Sequence, residues 1–471
     1  MTFIALDLGT TFIKGAVLDL DNLRLHHIQR LPFPDPLPNL PPLFYEVDPG
    51  QVVTTVRALI ADLLTHAPEC TGIVMCTQMH GMVLCTPDGQ PLSNVITWQD
   101  QRVLAQHPTA QRSYFEQLTS LLTPQERQQL GNEVQPSRPL CYLYWMAEQG
   151  ELPQTTASSV AIPVGIPDFV IANLCNTSPT MEATGAGAHC AFNLETMNWH
   201  YPIIERLGLA QLDWPKLRDF GEVAGTLSIA GKTIPMYTPV GDHQCAVVGA
   251  FLGGDELSLN ISTGSQVSLL TEPLRLGNYQ TRPFFGRYLN TVTGVPAGRS
   301  LNHLVNLLTE LARAQGVTLA DAWPTITQAV NALDETNLGA PLHVNLAFFD
   351  SAGGKQGHIT NIREDNLSVG HLFHAAFQNM ADNYYTNALR IAPQPTWRQI
   401  VFSGGLAQKI GVLRTIIQRK FQVDYRLCAS SEDTMLGLLA LALVASGRKP
   451  SVEAAIQLLL AQYVEGPHGD Q

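Results

Sequence analysis

Asp7-Leu8-Gly9-Thr10-Thr11 sets a carboxylate, a glycine and two hydroxyls between two apolar runs, Phe3-Ile4-Ala5-Leu6 and Lys14-Gly15-Ala16-Val17-Leu18. The runs have strand length, so the polar stretch reads as a hairpin turn. Gly9 has no Cβ and permits close approach of a ligand to the backbone. Consecutive amides and the Thr10 and Thr11 hydroxyls would form a concave anion site. A carboxylate beside an anion needs a cation between them, so Asp7 points to a phosphate held together with a divalent metal. An ordinary β-hairpin with a Gly-Thr turn is the alternative at this point.

A second copy of the pattern favours the phosphate reading. Leu257-Ser258-Leu259-Asn260-Ile261 leads through Ser262-Thr263-Gly264-Ser265 into Gln266-Val267-Ser268-Leu269-Leu270, about half a chain later. Two such hairpins indicate a duplicated fold with a nucleotide between its halves. Near the junction of the halves, the extended stretch Ile234–Val240 runs into Gly241-Asp242-His243-Gln244 and then the apolar helix 246–252. Asp242 at this strand-to-helix junction has two roles open to it, helix N-terminal stabilisation or general base toward an attacking hydroxyl. Two strand ends supply polyol-binding chemistry. Ile73-Val74-Met75-Cys76 ends in Gln78-Met79-His80-Gly81, and Val95-Ile96-Thr97 ends in Trp98-Gln99-Asp100-Gln101-Arg102. Hydroxyl-rich ligands need bidentate acceptors and amide, guanidinium or imidazole donors. An Asp100–Arg102 pair in a solvated loop is the competing explanation.

The elements that must position these groups alternate between strand and helix. Asp48-Pro49 opens a helix as N-cap and first residue, with Val52, Val53, Val56, Leu59, Ile60, Leu63 and Leu64 forming one apolar stripe. Residues 31–42, dense in proline, read as a surface loop. Tyr142–Trp145 reads as helical, and Asp168 as the cap of a helix entered at Ile166-Pro167. Helices are expected over 301–314 and 368–392. The strand Ile400-Val401-Phe402 turns through Ser403-Gly404-Gly405 into a helix over 410–421, an arrangement that lets amides approach a nucleotide. Ser430-Ser431-Glu432-Asp433 is expected to cap the apolar helix 435–445, whose small residues allow close packing.

The chain's size suits two domains. Apolar content of 45% and charged content of 14% describe a globular protein. A formal charge of −12 without any basic run argues against nucleic acid. Eight scattered cysteines with no C-x-x-C pair read as buried free thiols of a reducing compartment. The opening residues already form a strand and lack a leader's basic flank, and no apolar run spans a bilayer, so a cytoplasmic protein with no membrane partner is expected.

These motifs together resemble the FGGY-type carbohydrate kinases, which include glycerol kinases, xylulokinases and sedoheptulokinases. Gln78-Met79-His80-Gly81 is similar to the sugar-binding turn of xylulokinases and sedoheptulokinases. Thr97-Trp98-Gln99-Asp100-Gln101-Arg102 resembles the sedoheptulokinase form, as do Ala191-Phe192-Asn193 before Trp199, Gly241-Asp242 to Cys245, Asn260–Thr263 and Asn366–His371. The resemblance implies an α/β fold of two actin-like, ribonuclease H-like ATPase domains about a deep cleft. The corresponding ranges are 1–250 for sugar and the first hairpin, 251–450 for nucleotide, and 451–471 for a C-terminal helix and tail. It implies ATP and Mg²⁺, with Asp7 on the metal and Asp242 as base. Met79, His80, Gln99, Asp100 and His243 would hold a ketose. Thr10, Thr11, Thr263, Gly264, Gly404, Gly405 and Gln408 would hold the nucleotide. The implied reaction is phosphorylation of a ketose's terminal hydroxyl, sedoheptulose to sedoheptulose 7-phosphate, with a pentulose kinase as the alternative and a non-catalytic sensor as a third reading. The oligomeric state stays open. The family's Gly-Glu-Arg string is absent near 349–358, where Lys355 is the candidate substitute.

Overall fold

The computed structural model describes residues 1–153, 160–334 and 341–464. The strands Thr2–Leu8 and Phe12–Asp19 pair antiparallel with Leu8 opposite Ile13, so the turn is Gly9-Thr10-Thr11 as expected. Thr2–Leu8 also pairs parallel with Cys70–Thr77, and Phe12–Asp19 antiparallel with Arg24–Pro32. The strands Lys232–Tyr237, Val223–Ile229 and Val240–Gly241 complete a seven-stranded sheet. The same plan recurs in a six-stranded sheet. Glu256–Ile261 pairs antiparallel with Ser265–Thr271 and parallel with Gln399–Ser403, and Ser265–Thr271 pairs antiparallel with Arg287–Val295. The duplication read from two hairpins is thus a duplication of the surrounding strand order.

Helix Pro49–His66 starts as its sequence dictates, with the Asp48 carboxylate accepting from the amides of Gly50 and Gln51. Such a cap stabilises a helix by about 1 kcal/mol. Its apolar stripe packs on the first sheet, while helix Val369–Ile391, capped by Ser368, covers the second. A third core joins the two sheets: Phe3, Ala5 and Leu18 from the first, and Leu270, Leu289 and Val401 from the second, surround helices Asp242–Gly249 and Asp433–Ala445. Those helices touch backbone to backbone. A Cβ on Gly249 would lie 1.8 Å from the Asp433 carbonyl oxygen, and one on Gly437 would lie 2.0 Å from that of Cys245. Real atoms do not approach so closely, so glycine is required at both places. The small residues of the last apolar helix therefore serve this crossing.

Two expected caps are corrected. Gly165 is the N-cap of helix Ile166–Cys175, and Asp168 stands in its first turn. Helix Asp433–Ala445 begins at Asp433 without a side-chain cap from Ser430, Ser431 or Glu432. Glu432 instead pairs with Lys14 at 3.3 Å and with Arg30, tying the helix start to the first hairpin. All eight cysteines are free thiols. Among the described residues no helix is long and apolar enough to cross a membrane.

Candidate active site

The first hairpin turn is stitched to the end of the neighbouring strand. Gln78 donates from its backbone amide to the Leu8 carbonyl at 2.9 Å and from its side chain to the Gly9 carbonyl at 3.3 Å. Thr10 donates to Gln78 Oε1 at 3.3 Å and accepts from Trp98 Nε1 at 2.9 Å. The Gly9 amide is bonded to the Phe12 carbonyl, which leaves the Thr10 and Thr11 amides and the Thr11 hydroxyl as the donors of the turn. Thr11 is exposed at the tip and does not line the cavity that Thr10 enters.

That cavity, of about 630 Å³, joins the two halves. The first half contributes Thr10, Gln78, Met79, His80, Trp98 and Arg138, and the second contributes Asn260, Gln266, Arg282 and Thr293. Asp242, His243, Asp433 and Thr434 line it from the two crossing helices. His80 adopts φ +72°, an uncommon conformation for a residue with a side chain, at a cost of about 1 kcal/mol. Its Nδ1 lies 3.1 Å from the Ala188 carbonyl oxygen. A carbonyl only accepts, so Nδ1 carries the proton and Nε2 is left with a lone pair. Burial and the nearby Arg138 hold the ring well below the usual imidazole range, hence neutral.

Asp242 is the first residue of its helix, directly after the strand Val240–Gly241, and makes no capping bond. Gly241 is fixed from behind, because its amide donates to Thr184 Oγ1 at 3.0 Å. Enclosure by protein, then the charge of Asp7, raises the Asp242 carboxyl to about 7. Asp433 is raised to about 6, again by burial first and then by Asp7. Asp7 is 6% exposed, accepts from Thr434 Oγ1 at 2.8 Å, and is itself raised by burial. Asp242 and Asp433 thus line the cavity with the charge of the buried Asp7 behind them, and Lys14 is the cation acting on Asp7 and Asp433. Among the described residues no three His, Cys, Asp or Glu side chains converge as a closed metal cage.

Two residues expected at the sugar, Asp100 and Gln99, do not line the cavity. Asp100 is fully buried and both its oxygens are taken: Arg102 Nε and Nη2 donate at 2.9 and 2.7 Å, and the Tyr45 and Arg102 amides at 2.7 and 3.0 Å. The Arg102 guanidinium lies 4.1 Å from the Phe44 ring centre and 2.5 Å from Glu46. The pair is a structural network, not a ligand contact. Gln99 lies outside the cavity lining, and Trp98 stands there instead. The residues missed altogether are Arg138, Arg282 and Glu133. Glu133 is 3.2 Å from Arg138 and 2.5 Å from Arg282. Burial pushes its carboxyl up, but the two guanidiniums outweigh this and hold it at about 2. A lone Glu or Arg in an unpatterned stretch offers no periodic signal by which sequence could have found it.

A second cavity, of about 830 Å³, is lined by Ser262, Thr263, Gly298, Asn302, Trp323, Gln328, Asn331, Gly405, Leu406 and Lys409 among others. The turn of the second hairpin meets the start of helix Gly298–Ala314, whose Gly298 and Arg299 amides donate to the Ser262 and Thr263 carbonyls at 3.1 and 2.8 Å. Gly264 faces open space. Gly404, at φ +85°, does not line the cavity: a Cβ there would lie 2.5 Å from the Ile261 carbonyl oxygen, so this glycine seats one turn on another. Gln408 also lies outside the lining, because a short helix Gly405–Lys409 precedes Gly411–Phe421 and turns Leu406 and Lys409 toward the cavity. Lys355 is 81% exposed, pairs with Asp350 and reaches neither cavity.

Two sheets of like strand order, each carrying a hairpin turn of the same kind, define an actin-like, ribonuclease H-like ATPase fold. The profile of the FGGY family of carbohydrate kinases, N-terminal domain, matches residues 2–249, and the chain belongs to that family. It is 24% identical over 365 residues to the sedoheptulokinase of Mus musculus, covering 74% of this chain and 72% of the mouse protein. It is 26% identical over 256 residues to a glycerol kinase of Marinomonas sp. (strain MWYL1), covering 52% of this chain and 50% of that enzyme. The chain thus spans about half the length of the first curated relatives it matches. A ligand-bound xylulose kinase from Lactobacillus acidophilus superposes with a TM-score of 0.80 at 18% identity, over 97% of this chain and 91% of that one.

Proposed function

We propose that the protein is an ATP-dependent ketose kinase that phosphorylates the terminal hydroxyl of its sugar, with sedoheptulose as the substrate. The observation that carries this reading is the single cavity in which Asp242 faces Met79 and His80 on one side and the Thr10 turn on the other. A polyol bound by Met79, His80 and His243 would set its terminal hydroxyl against the Asp242 carboxylate. A carboxyl tuned to about 7 can accept that proton at neutral pH as the oxygen attacks the γ-phosphorus. Thr10 and Thr11 from one hairpin, and Thr263 and Gly264 from the other, would hold the transferred phosphoryl and its neighbours. The adenosine would occupy the cavity lined by Thr263, Gly405 and Lys409. Residues 1–250 would then serve the sugar and 251–450 the nucleotide, with Arg282, Gln266 and Thr293 crossing that division. In the proposed tail, 451–471, helix Val452–Tyr463 packs on the joining core, and 465–471 lie outside the described residues.

The donor set fits Mg²⁺. Asp7 is a carboxylate raised by burial, and Mg²⁺ is commonly held by one or two carboxylates together with substrate phosphates and water. Bound there, the ion would neutralise developing phosphate charge. Asp7 would be its protein tether, and Thr434 would hold the Asp7 carboxylate in place.

The likeness to mouse sedoheptulokinase supports a seven-carbon ketose, and a cavity of 630 Å³ has the size of a small-molecule site. Assaying sedoheptulose, xylulose, ribulose and glycerol with ATP and Mg²⁺ tests both levels. The highest kcat/KM is expected for sedoheptulose. Faster turnover of a pentulose would move the substrate assignment, and no turnover of any of them would end the ketose-kinase reading.

A further inference from the structure

Arg282 belongs to the strand Gln280–Phe284 of the second sheet, yet it ends among residues of the proposed sugar site. It is 6% exposed. Its Nε donates to Glu133 at 2.5 Å, and its Nη1 lies 2.7 Å from His243 Nδ1 and 3.7 Å from Met79 Sδ. An arginine guanidinium only donates, so His243 Nδ1 must be the acceptor. The His243 ring is then neutral, with its one N–H at Nε2. His80, which lines the same cavity, has the reverse arrangement, because its Nδ1–H donates to the Ala188 carbonyl.

We infer that Arg282 is a positioning and specificity residue, which reaches across from the second half to fix His243 as a hydrogen-bond donor in the cavity that the acceptor His80 also lines. This rests on the sugar-kinase reading for its ligand. A donor and an acceptor on one cavity recognise a hydroxyl, which does both, and reject a deoxy carbon or a carbonyl oxygen there. Glu133 anchors the guanidinium from the first half, so this polarity exists only while the halves are together. The low value of His243, about 3, set by burial and then Arg282, agrees with a ring that stays neutral.

Histidine nitrogen NMR on the intact protein near neutral pH decides the tautomer, with the His243 signals identified by their loss in His243→Gln. The expected spectrum has a protonated Nε2 and an unprotonated, hydrogen-bonded Nδ1; a protonated Nδ1 overturns the inference. Arg282→Met should raise the KM for the preferred ketose by about tenfold or more, the cost of an unfixed polar contact, with the KM for ATP within about threefold. Arg282→Lys, which still donates, should recover most of that loss. Equal losses in Met and Lys variants would mark Arg282 as packing only and overturn the inference. Should no ketose be turned over, the kinase reading falls while the spectrum still decides the His243–Arg282 relationship.

Discussion

The hydroxyl of Thr434, on the last apolar helix, donates to the carboxylate of Asp7 on the first strand at 2.8 Å across 427 positions of sequence. The first strand and the last apolar helix are thus tied together beside the proposed site. Thr434→Val removes the donor and leaves a buried carboxylate less supported, so turnover should fall by roughly tenfold, in line with the loss of one charge-assisted hydrogen bond. Thr434→Ser should restore it. A Val variant with unaltered turnover, measured at saturating ATP and Mg²⁺, would remove Thr434 from the site.

Asp242→Asn should keep the fold and ATP binding but lower turnover by roughly two to four orders of magnitude. In the unaltered protein, kcat/KM for the ketose should rise about tenfold per pH unit below about 7 and level off above it, as the carboxyl raised to about 7 loses its proton. The same group makes stability fall as pH rises from about 4 toward 7, because the unfolded chain has already released the proton that the folded one still holds. A flat rate profile across this range would disqualify Asp242 as the base.

Thr263 lines the larger cavity alone, whereas Thr10 is bonded to Gln78 and Trp98 at the sugar side. Thr263→Ala should therefore raise the KM for ATP by about tenfold, the scale of one hydrogen bond, without changing calorimetric ketose binding. Thr10→Ala should weaken both. Loss of ketose binding in Thr263→Ala would reverse the assignment of the two cavities.

Asp100 gives the opposite kind of expectation. Asp100→Ala leaves the buried Arg102 with Glu46 as its remaining carboxylate partner and should destabilise the fold by roughly 3 kcal/mol, read as a lowered unfolding midpoint in urea. The folded fraction should keep its KM for the ketose, and Gln99→Asn should change neither quantity. A large rise in KM without loss of stability would return Asp100 to the sugar site.

The hairpins, the Asp48 cap and the Gly241-Asp242 junction were legible because each is a local pattern: alternating apolar residues, a glycine turn, a cap before proline. The Gln78–Gly81 turn was legible for the same reason, and its His80 lines the cavity between the halves. Asp100 misled because a strand-end carboxylate looks alike whether it faces a ligand or an arginine two residues on; only the burial of Arg102 against Phe44 decides between them. Gln408 was displaced by a break at Ile410 that no residue type announces. Glu133, Arg138 and Arg282 meet through tertiary packing over 149 positions of sequence between Glu133 and Arg282, beyond the reach of any local pattern.

The joining core also sets an order of events during synthesis. The face of the first sheet that carries Phe3, Ala5 and Leu18 is covered by a helix ending at Ala445, so that face leaves the ribosome long before its cover. Until then the nascent first half carries an uncovered apolar sheet, the kind of surface that chaperones bind and that aggregates when left alone. A chain stopped short of Asp433 would lack both this cover and the Thr434 hydroxyl. The cover of the first sheet and the support of the Asp7 carboxylate therefore arrive on one and the same helix.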